Sequence, residues 1–303
     1  MRVAIVTGAG GFVGNAVVKA LASKKIKVYA VVRECSRDID WGNDLNIITI
    51  RCDMENYSRL PEMIEEKNID VFYHFAWSGT AGIMRGNEDK QLENVKYSCV
   101  AVKTATDMGI KKFVFASSIM EYEMELVLQS ENNSSMGSIY SIAKKTANYM
   151  CRVLANNFNI EYVAGIISNI YGPGEISPRL INTTIRKLIN KEETAFSPGE
   201  QLYDFIYISD AADIFVEIGE HGKNNKSYYV GNRKQRKLKE FLYEIGEVVA
   251  PNTELGIGKM DFNGISLKYK EFDVESTFGE LGCVCKVDFK DGIKRTMEWI
   301  KEN

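Results

Sequence analysis

Tyr140 and Lys144 stand four residues apart in the stretch YSIAKK, inside a run whose apolar residues recur at helical spacing. On a helix that separation puts both side chains on one face. A phenol titrates near 10 and is a poor proton carrier at neutral pH. An ammonium beside it stabilises the phenolate and brings the group into range for general acid–base work. The pair alone is common on helix surfaces, so its setting must decide. Upstream, the apolar run KFVFASS ends in Ser117 and Ser118, and Ser118 precedes Tyr122 by four residues.

A second chemical signal lies at the start of the chain. Gly8, Gly11 and Gly14 in TGAGGFVG follow an apolar run directly and open a helical pattern. A tight turn needs a residue tolerant of positive φ, and a pyrophosphate needs close backbone approach. The helix start then offers the amides around Phe12 and Val13 and a partial positive charge. In this strand–turn–helix context the spacing predicts a dinucleotide site. The end of the second strand selects the cofactor. A carboxylate there binds the ribose 2′-hydroxyl, whereas an arginine accommodates a 2′-phosphate. The chain reads VYAVVRE, with Val32 in the acidic position and Arg33 next, so NADP(H) is expected and NAD(H) is the alternative.

These groups need elements to position them. Apolar runs at 3–7, 27–32, 46–51, 71–75 and 112–116 read as strands, and 15–23, 57–67 and 89–108 as helices between them. Strands apolar along their whole length imply burial on both faces, as in a parallel sheet covered by helices. The expected fold is α/β, a doubly wound parallel sheet (Rossmann fold) with a smaller, interwoven C-terminal substrate-binding domain. The boundaries read as 1–168 for the dinucleotide domain, with a return segment at about 203–230, and 169–202 plus 231–303 for the other. Helices are expected at 138–157, 179–190, 238–249 and 291–301 in the less regular second half.

Composition narrows the function classes. A chain of 303 residues with 45% hydrophobic and 26% charged residues suits a globular enzyme with a sizeable core. The formal net charge of −3 gives no reason to expect nucleic-acid binding. The basic run RKQRKLK from Arg233 reads as a solvated face beside acidic residues. Six scattered cysteines and only two histidines argue for reduced thiols and against a zinc site. Neither a signal peptide nor an apolar run of about 20 residues is visible, so a cytoplasmic protein without a membrane partner is expected.

Taken in order, these stretches resemble the extended branch of the short-chain dehydrogenases/reductases, the NAD-dependent epimerase/dehydratase family. The resemblance implies that Ser118 holds the reacting oxygen, with Ser117 beside the cofactor. It places Asp53 in RCDME against the adenine and the Ala76 backbone in FYHFAW next to the dinucleotide. Asn94 in LENVKYS would stabilise the cofactor site, and Asn169 in SNIYGPG would contact substrate. Lys144 would also bind the nicotinamide ribose. The segments YDFIYISDAA and FGELGCVCKVDFKDGIKRTMEWI match the remaining family marks, so the resemblance covers essentially the whole chain. A homodimer through the helices at 89–108 and 140–157 is implied in the same way.

Three departures bear on substrate and reaction. Tyr203 stands before Asp204 where many members carry a pyrophosphate-clamping arginine, and a phenol lacks the bidentate fork of a guanidinium. Ile166 occupies the place of another arginine, which leaves Arg179 to supply charge. Ile119 and Met120 follow Ser118 where dehydratases of the family carry an Asp-Glu pair, and two apolar side chains transfer no protons. The expectation is therefore an NADPH-dependent reductase of a nucleotide-sugar ketone, such as a 4-keto-6-deoxy sugar, with Tyr140 as general acid. The alternative is an NAD-dependent nucleotide-sugar 4-epimerase using the same residues. A non-catalytic dinucleotide sensor has no need of Ser118, Tyr140 and Lys144 together.

Overall fold

Burial follows the apolar runs except at the sheet edge, where Ile47–Arg51 buries no residue and exposes Ile48 and Thr49. Val3–Thr7 (β1) is buried from Ala4 onward, Lys27–Val32 (β2) from Val28, and all of Val71–His74 (β4). The computed structural model describes residues 1–122, 124, 136–262, 267, 270 and 272–303. With Ile47–Arg51 (β3), Lys112–Ser118 (β5), Glu161–Ile167 (β6) and Ser227–Val230 (β10), these strands form one sheet in the order β10-β6-β5-β4-β1-β2-β3. From β6 to β3 all pairings are parallel, with Ile5 beside both Tyr29 and Phe72, and Phe115 beside Ala164. The chain leaves β1 toward β2 and β3, then returns to β4 on the other side of β1. Ligands of such sheets bind beyond the carboxyl ends at that reversal.

Helices cover the sheet. Phe12–Ser23 (α1) buries Val17, Val18 and Leu21. Glu88–Asp107 (α3) is capped by Asn87, whose side chain accepts the Lys90 amide, and it packs on Ser138–Asn157 (α4). Both helices give small residues to the core, and Cys99 of α3 meets Cys151 of α4. The helix expected at 57–67 is instead a 3-10 turn, Met54–Arg59, followed by the single turn Leu60–Met63 (α2). Pro61 explains the break, since it has no amide to donate to the preceding turn.

Two compact units result, Met1–Ile167 with Ala212–Tyr229, and Ser168–Ala211 with Val230–Asn303. In the second, Ile170–Tyr171 (β7) pairs in parallel with Ile206–Tyr207 (β9). Leu202–Tyr203 (β8) pairs antiparallel with Arg236–Lys237 (β11). Leu180–Ile189 (α5), Leu238–Val249 (α7) and Phe289–Glu302 (α8) complete it, and Ile208–His221 (α6) contributes residues to both units. Its core is aromatic: Phe205, Phe241 and Phe289 have ring centroids 4.8–5.8 Å apart. Among the described residues no helix is long and apolar enough to cross a membrane.

Candidate active site

β1 ends at Thr7 and the chain turns through Gly8, whose φ is +71°. A Cβ on Gly8 would stand 2.6 Å from the Ala76 nitrogen, on the backbone just beyond β4. A Cβ on Gly14 would stand 2.2 Å from the Gly8 carbonyl oxygen, and one on Gly11 3.2 Å from the same oxygen. The loop is thus clasped between the end of β4 and the first turn of α1. Gly11 caps α1 with no side-chain hydrogen bond, and the first turn holds no acidic residue. The positive end of the helix around Phe12, Val13 and Gly14 is left for a ligand. Bare backbone, close approach and an uncompensated dipole fit a pyrophosphate.

At the end of β2, Val32 is buried and Arg33 is exposed, with no ion pair among the described residues. Asp53 follows β3, and its Oδ1 accepts the Glu34 amide at 3.2 Å, tying the ends of β2 and β3 together. Arg51 is committed elsewhere, to Asp38 and to the Ser36 carbonyl. Arg33 therefore remains available at the rim.

Deeper in, Tyr140 and Lys144 lie on the buried face of α4 at 7% and 5% exposure. Lys144 Nζ donates to the Ala116 carbonyl of β5 at 2.9 Å and sits 3.8 Å from the centre of the Trp77 ring. The Tyr140 ring meets Trp77 edge to face, with centroids 6.1 Å apart, and the Arg85 guanidinium lies 4.8 Å from the Tyr140 ring centre. A lysine in such a place cannot keep its solution affinity for a proton. Burial pulls Lys144 down to about 7, while the charge of Glu121 opposes that shift. Ser118, at the end of β5, accepts the Met120 amide at 3.2 Å and keeps its own O–H to donate.

The loop after β4 is held from α3. Asn94 accepts the Ser78 amide at 2.9 Å and donates to the Ser78 carbonyl at 2.8 Å. Gln91 accepts from the Trp77 indole at 2.8 Å and donates to the Gly79 and Met84 carbonyls. Asn94 thus acts on the site by bracing backbone. Beneath it, His74 bridges Thr7 Oγ1 at 2.8 Å and Ser98 Oγ at 3.0 Å. Ser98 donates onward to the Asn94 carbonyl, so His74 carries its proton on Nε2. Burial, with Lys144 nearby, holds this imidazole neutral down to about 3.

Three residues of this unit were not picked out from the sequence: Trp77, Arg85 and Glu121. Glu121 is 4% exposed. Its Oε1 accepts from Ser117 Oγ at 2.6 Å and its Oε2 from Asn148 Nδ2 at 2.8 Å, while Asn148 Oδ1 accepts from the Tyr162 hydroxyl at 2.7 Å. Ser117 therefore turns its hydroxyl toward Glu121. The spacing held a clue, because Ser117–Glu121 and Lys144–Asn148 repeat the four-residue interval of Ser118–Tyr122 and Tyr140–Lys144.

Asn169, Arg179 and Tyr203 belong to the second unit. Asn169 is half-buried and donates to the Asp204 carbonyl at 3.1 Å. Asp204 is fully buried, and its carboxylate accepts from Ser168 Oγ at 3.0 Å and the Asn232 amide at 2.7 Å. Arg179 precedes α5 and pairs with Glu175 at 3.3 Å. Tyr203 is half-buried, its ring 5.7 Å from that of Phe205. Asp210 accepts the amides of Lys286 and Val287, both at 3.0 Å, anchoring the segment before α8.

Comparison with known proteins gives the family. The model of the "NAD dependent epimerase/dehydratase family" matches residues 4–231. A CDP-abequose synthase of Salmonella typhimurium is 25% identical over 316 residues, covering 97% of each chain. The Bordetella bronchiseptica enzyme WbmF, solved with NADH, superposes with a TM-score of 0.80 at 20% identity, covering 100% of this chain and 92% of that one. A UDP-N-acetylglucosamine 4-epimerase from Methanobrevibacter ruminantium, solved with UDP-N-acetylmuramic acid, gives 0.79 at 23% identity, covering 99% and 98%. The chain is therefore a member of the NAD-dependent epimerase/dehydratase family, the nucleotide-sugar-modifying enzymes of the extended short-chain dehydrogenase/reductase type.

Proposed function

We propose that this enzyme is an NADPH-dependent reductase of a nucleotide-sugar ketone of the 4-keto-6-deoxy class. The observation that carries the reading is the absence of an acid–base pair beside Ser118. Ile119 is buried and apolar, Met120 is apolar, and the nearby Glu121 is tied to Ser117 and Asn148. Water elimination needs both a proton donor and a proton acceptor at the sugar, whereas carbonyl reduction needs a single donor. Tyr140 is that donor.

The nicotinamide, once bound, supplies hydride to the carbonyl carbon. Gly8, Gly11 and Gly14 take the pyrophosphate, with the Ala76 backbone alongside and Asp53 toward the adenine. Arg33 pairs with the 2′-phosphate, which selects NADP(H). Ser118 donates its O–H to the carbonyl oxygen and fixes it for Tyr140. Lys144 binds the nicotinamide ribose and stabilises negative charge on Tyr140 after the proton has left. Asn169 and Tyr203 contact the nucleotide sugar, and Arg179 offers charge to its diphosphate on leaving Glu175. A homodimer fits the exposed apolar side chains of α4, since Ile142, Tyr149 and Val153 fall on one helical stripe. Six free cysteines accord with a reducing, cytoplasmic setting.

A 4-epimerase is the second reading, favoured by the similarity to the Methanobrevibacter enzyme and served by the same residues. In either case Tyr140→Phe removes the phenol that meets Trp77 on the helix face of Lys144. Positioned acid catalysis is worth about 10²–10⁴ in rate. The variant should lose at least that much turnover while binding NADPH within about threefold of the parent, by nicotinamide fluorescence. Full activity in the variant overturns the assignment of Tyr140.

A further inference from the structure

Glu121 has no part in the chemistry just described, yet it is buried and bound to Ser117, next to the Ala116 that accepts from Lys144, and to Asn148, one turn along α4 from Lys144. Burial raises the proton affinity of its carboxyl, against hydrogen bonds from Ser117 and Asn148 and the charge of Lys144. The donors around it decide which form it takes. Asn148 can only donate to Oε2 through Nδ2, because its Oδ1 is occupied by the Tyr162 hydroxyl. Ser117 donates to Oε1. Two donors on two oxygens describe a carboxylate. On the other side, Lys144 Nζ lies over the Trp77 face at 3.8 Å, a position that suits a cation. A separate, small polar pocket of about 90 Å³, lined by Glu121, Asn148, Lys145, Arg152 and Ser227, gives the carboxylate a local route to water.

We propose that Glu121 is the buried counter-charge of Lys144, a positioning residue that favours the ammonium form of the lysine and acts on Tyr140 only through it. The inference rests on reading Lys144 as the lysine that tunes Tyr140. Other titratable groups also face the pair. His74 from β4 and Cys151 from α4 face Lys144; Tyr162 from β6 faces Glu121, and Lys145 and Arg152 share its pocket. None supplies a second carboxylate. Loss of the Glu121 charge therefore removes the main opposition to the burial of Lys144.

Trp77 makes this measurable without substrate. The chain has three tryptophans, so Trp41→Phe with Trp299→Phe leaves Trp77 as the sole reporter of the ammonium on its face. In that background, Trp77 emission is titrated from pH 5 to 10 for the parent, Lys144→Met, Glu121→Gln and Glu121→Asp. Glutamine can accept from Asn148 and donate to Ser117, so the network survives while the charge goes. The midpoint should vanish in Lys144→Met, fall by one pH unit or more in Glu121→Gln, and stay near the parent in Glu121→Asp. Ser117→Ala, which removes one hydrogen bond and no charge, should lower it by less and serves if Glu121→Gln does not fold. A midpoint unchanged in Glu121→Gln or Ser117→Ala, or one that persists in Lys144→Met, overturns the inference. Ketone reduction by the unmodified chain is assayed in parallel. Turnover with an unmoved midpoint rejects Glu121 alone, whereas a moved midpoint without turnover rejects the functional reading alone.

Discussion

Gly14→Ala tests whether the glycine loop is a phosphate cradle or merely a tight turn. The added Cβ would begin 2.2 Å from the Gly8 carbonyl oxygen and 2.8 Å from its carbon. Real Cβ contacts do not fall below 3.0 Å, so something must yield by roughly 0.8 Å. Gly8 has little room to do so, since the Ala76 backbone runs close beside its Cα. The first turn of α1 must therefore withdraw from the loop. Overpacking of this kind costs about 1–3 kcal/mol of stability. For the ligand, hydrogen bonds to a charged acceptor are worth about 1.5–3 kcal/mol each. Losing one strong or two weak ones removes about 3 kcal/mol, close to 100-fold in NADPH affinity. Isothermal titration of NADPH measures the binding, and thermal melting with and without it separates the two losses. Gly109→Ala is the control: its φ is +66° but no atom lies within 4 Å of the new Cβ. It should lose about 1 kcal/mol of stability and no affinity. NADPH binding by Gly14→Ala within threefold of the parent would refute the cradle.

Two other perturbations follow from the same geometry. Arg33→Ser should weaken NADPH binding about tenfold or more, about 1.4 kcal/mol, and leave NADH unchanged; equal loss for both cofactors in a fluorescence titration contradicts the 2′-phosphate contact. His74 makes stability fall in acid. The folded chain holds it neutral down to about 3, whereas the unfolded chain protonates it near 6.5. Below 6.5 the unfolded state therefore binds the extra proton, and stability drops as pH falls from about 6.5 toward 3. At pH 5 the loss is on the order of 2 kcal/mol. Urea unfolding at pH 7 and 5 should show it in the parent and not in His74→Gln; an equal slope in both denies His74 the effect.

The first unit was legible because its signals are periodic. β1, β2, β4 and β5 are buried on both faces and read as continuous apolar runs, and Tyr140 with Lys144 fits a helical repeat. The 57–67 region misled for the same reason: Tyr57, Leu60 and Ile64 have helical spacing and are buried, but Pro61 breaks the helix from the turn before it and Ile64 is already extended. In the second unit β7, β8, β9 and β11 have two residues each, too few for any period to show. Trp77 and Arg85 escaped notice because the β4–α3 loop brings them to Tyr140 only in the fold. Asp204 and Asp210, conspicuous in YDFIYISDAA, prove to be anchors: one ties Ser168 and Asn232, the other Lys286 and Val287.

The central claim is ketone reduction, and it meets its most direct test in one cuvette. Cofactor-free enzyme is mixed with NADPH and a nucleoside-diphosphate 4-keto-6-deoxyhexose, and the nicotinamide absorbance is followed while the sugar is analysed. Reduction predicts that one NADPH disappears for each 4-hydroxyl formed, and that no NADPH is consumed when the ketone is replaced by the corresponding nucleotide hexose. If NADPH is not consumed, and the enzyme instead inverts C4 of the nucleotide hexose with NAD retained through turnover, the protein is an epimerase and the reductase account is wrong.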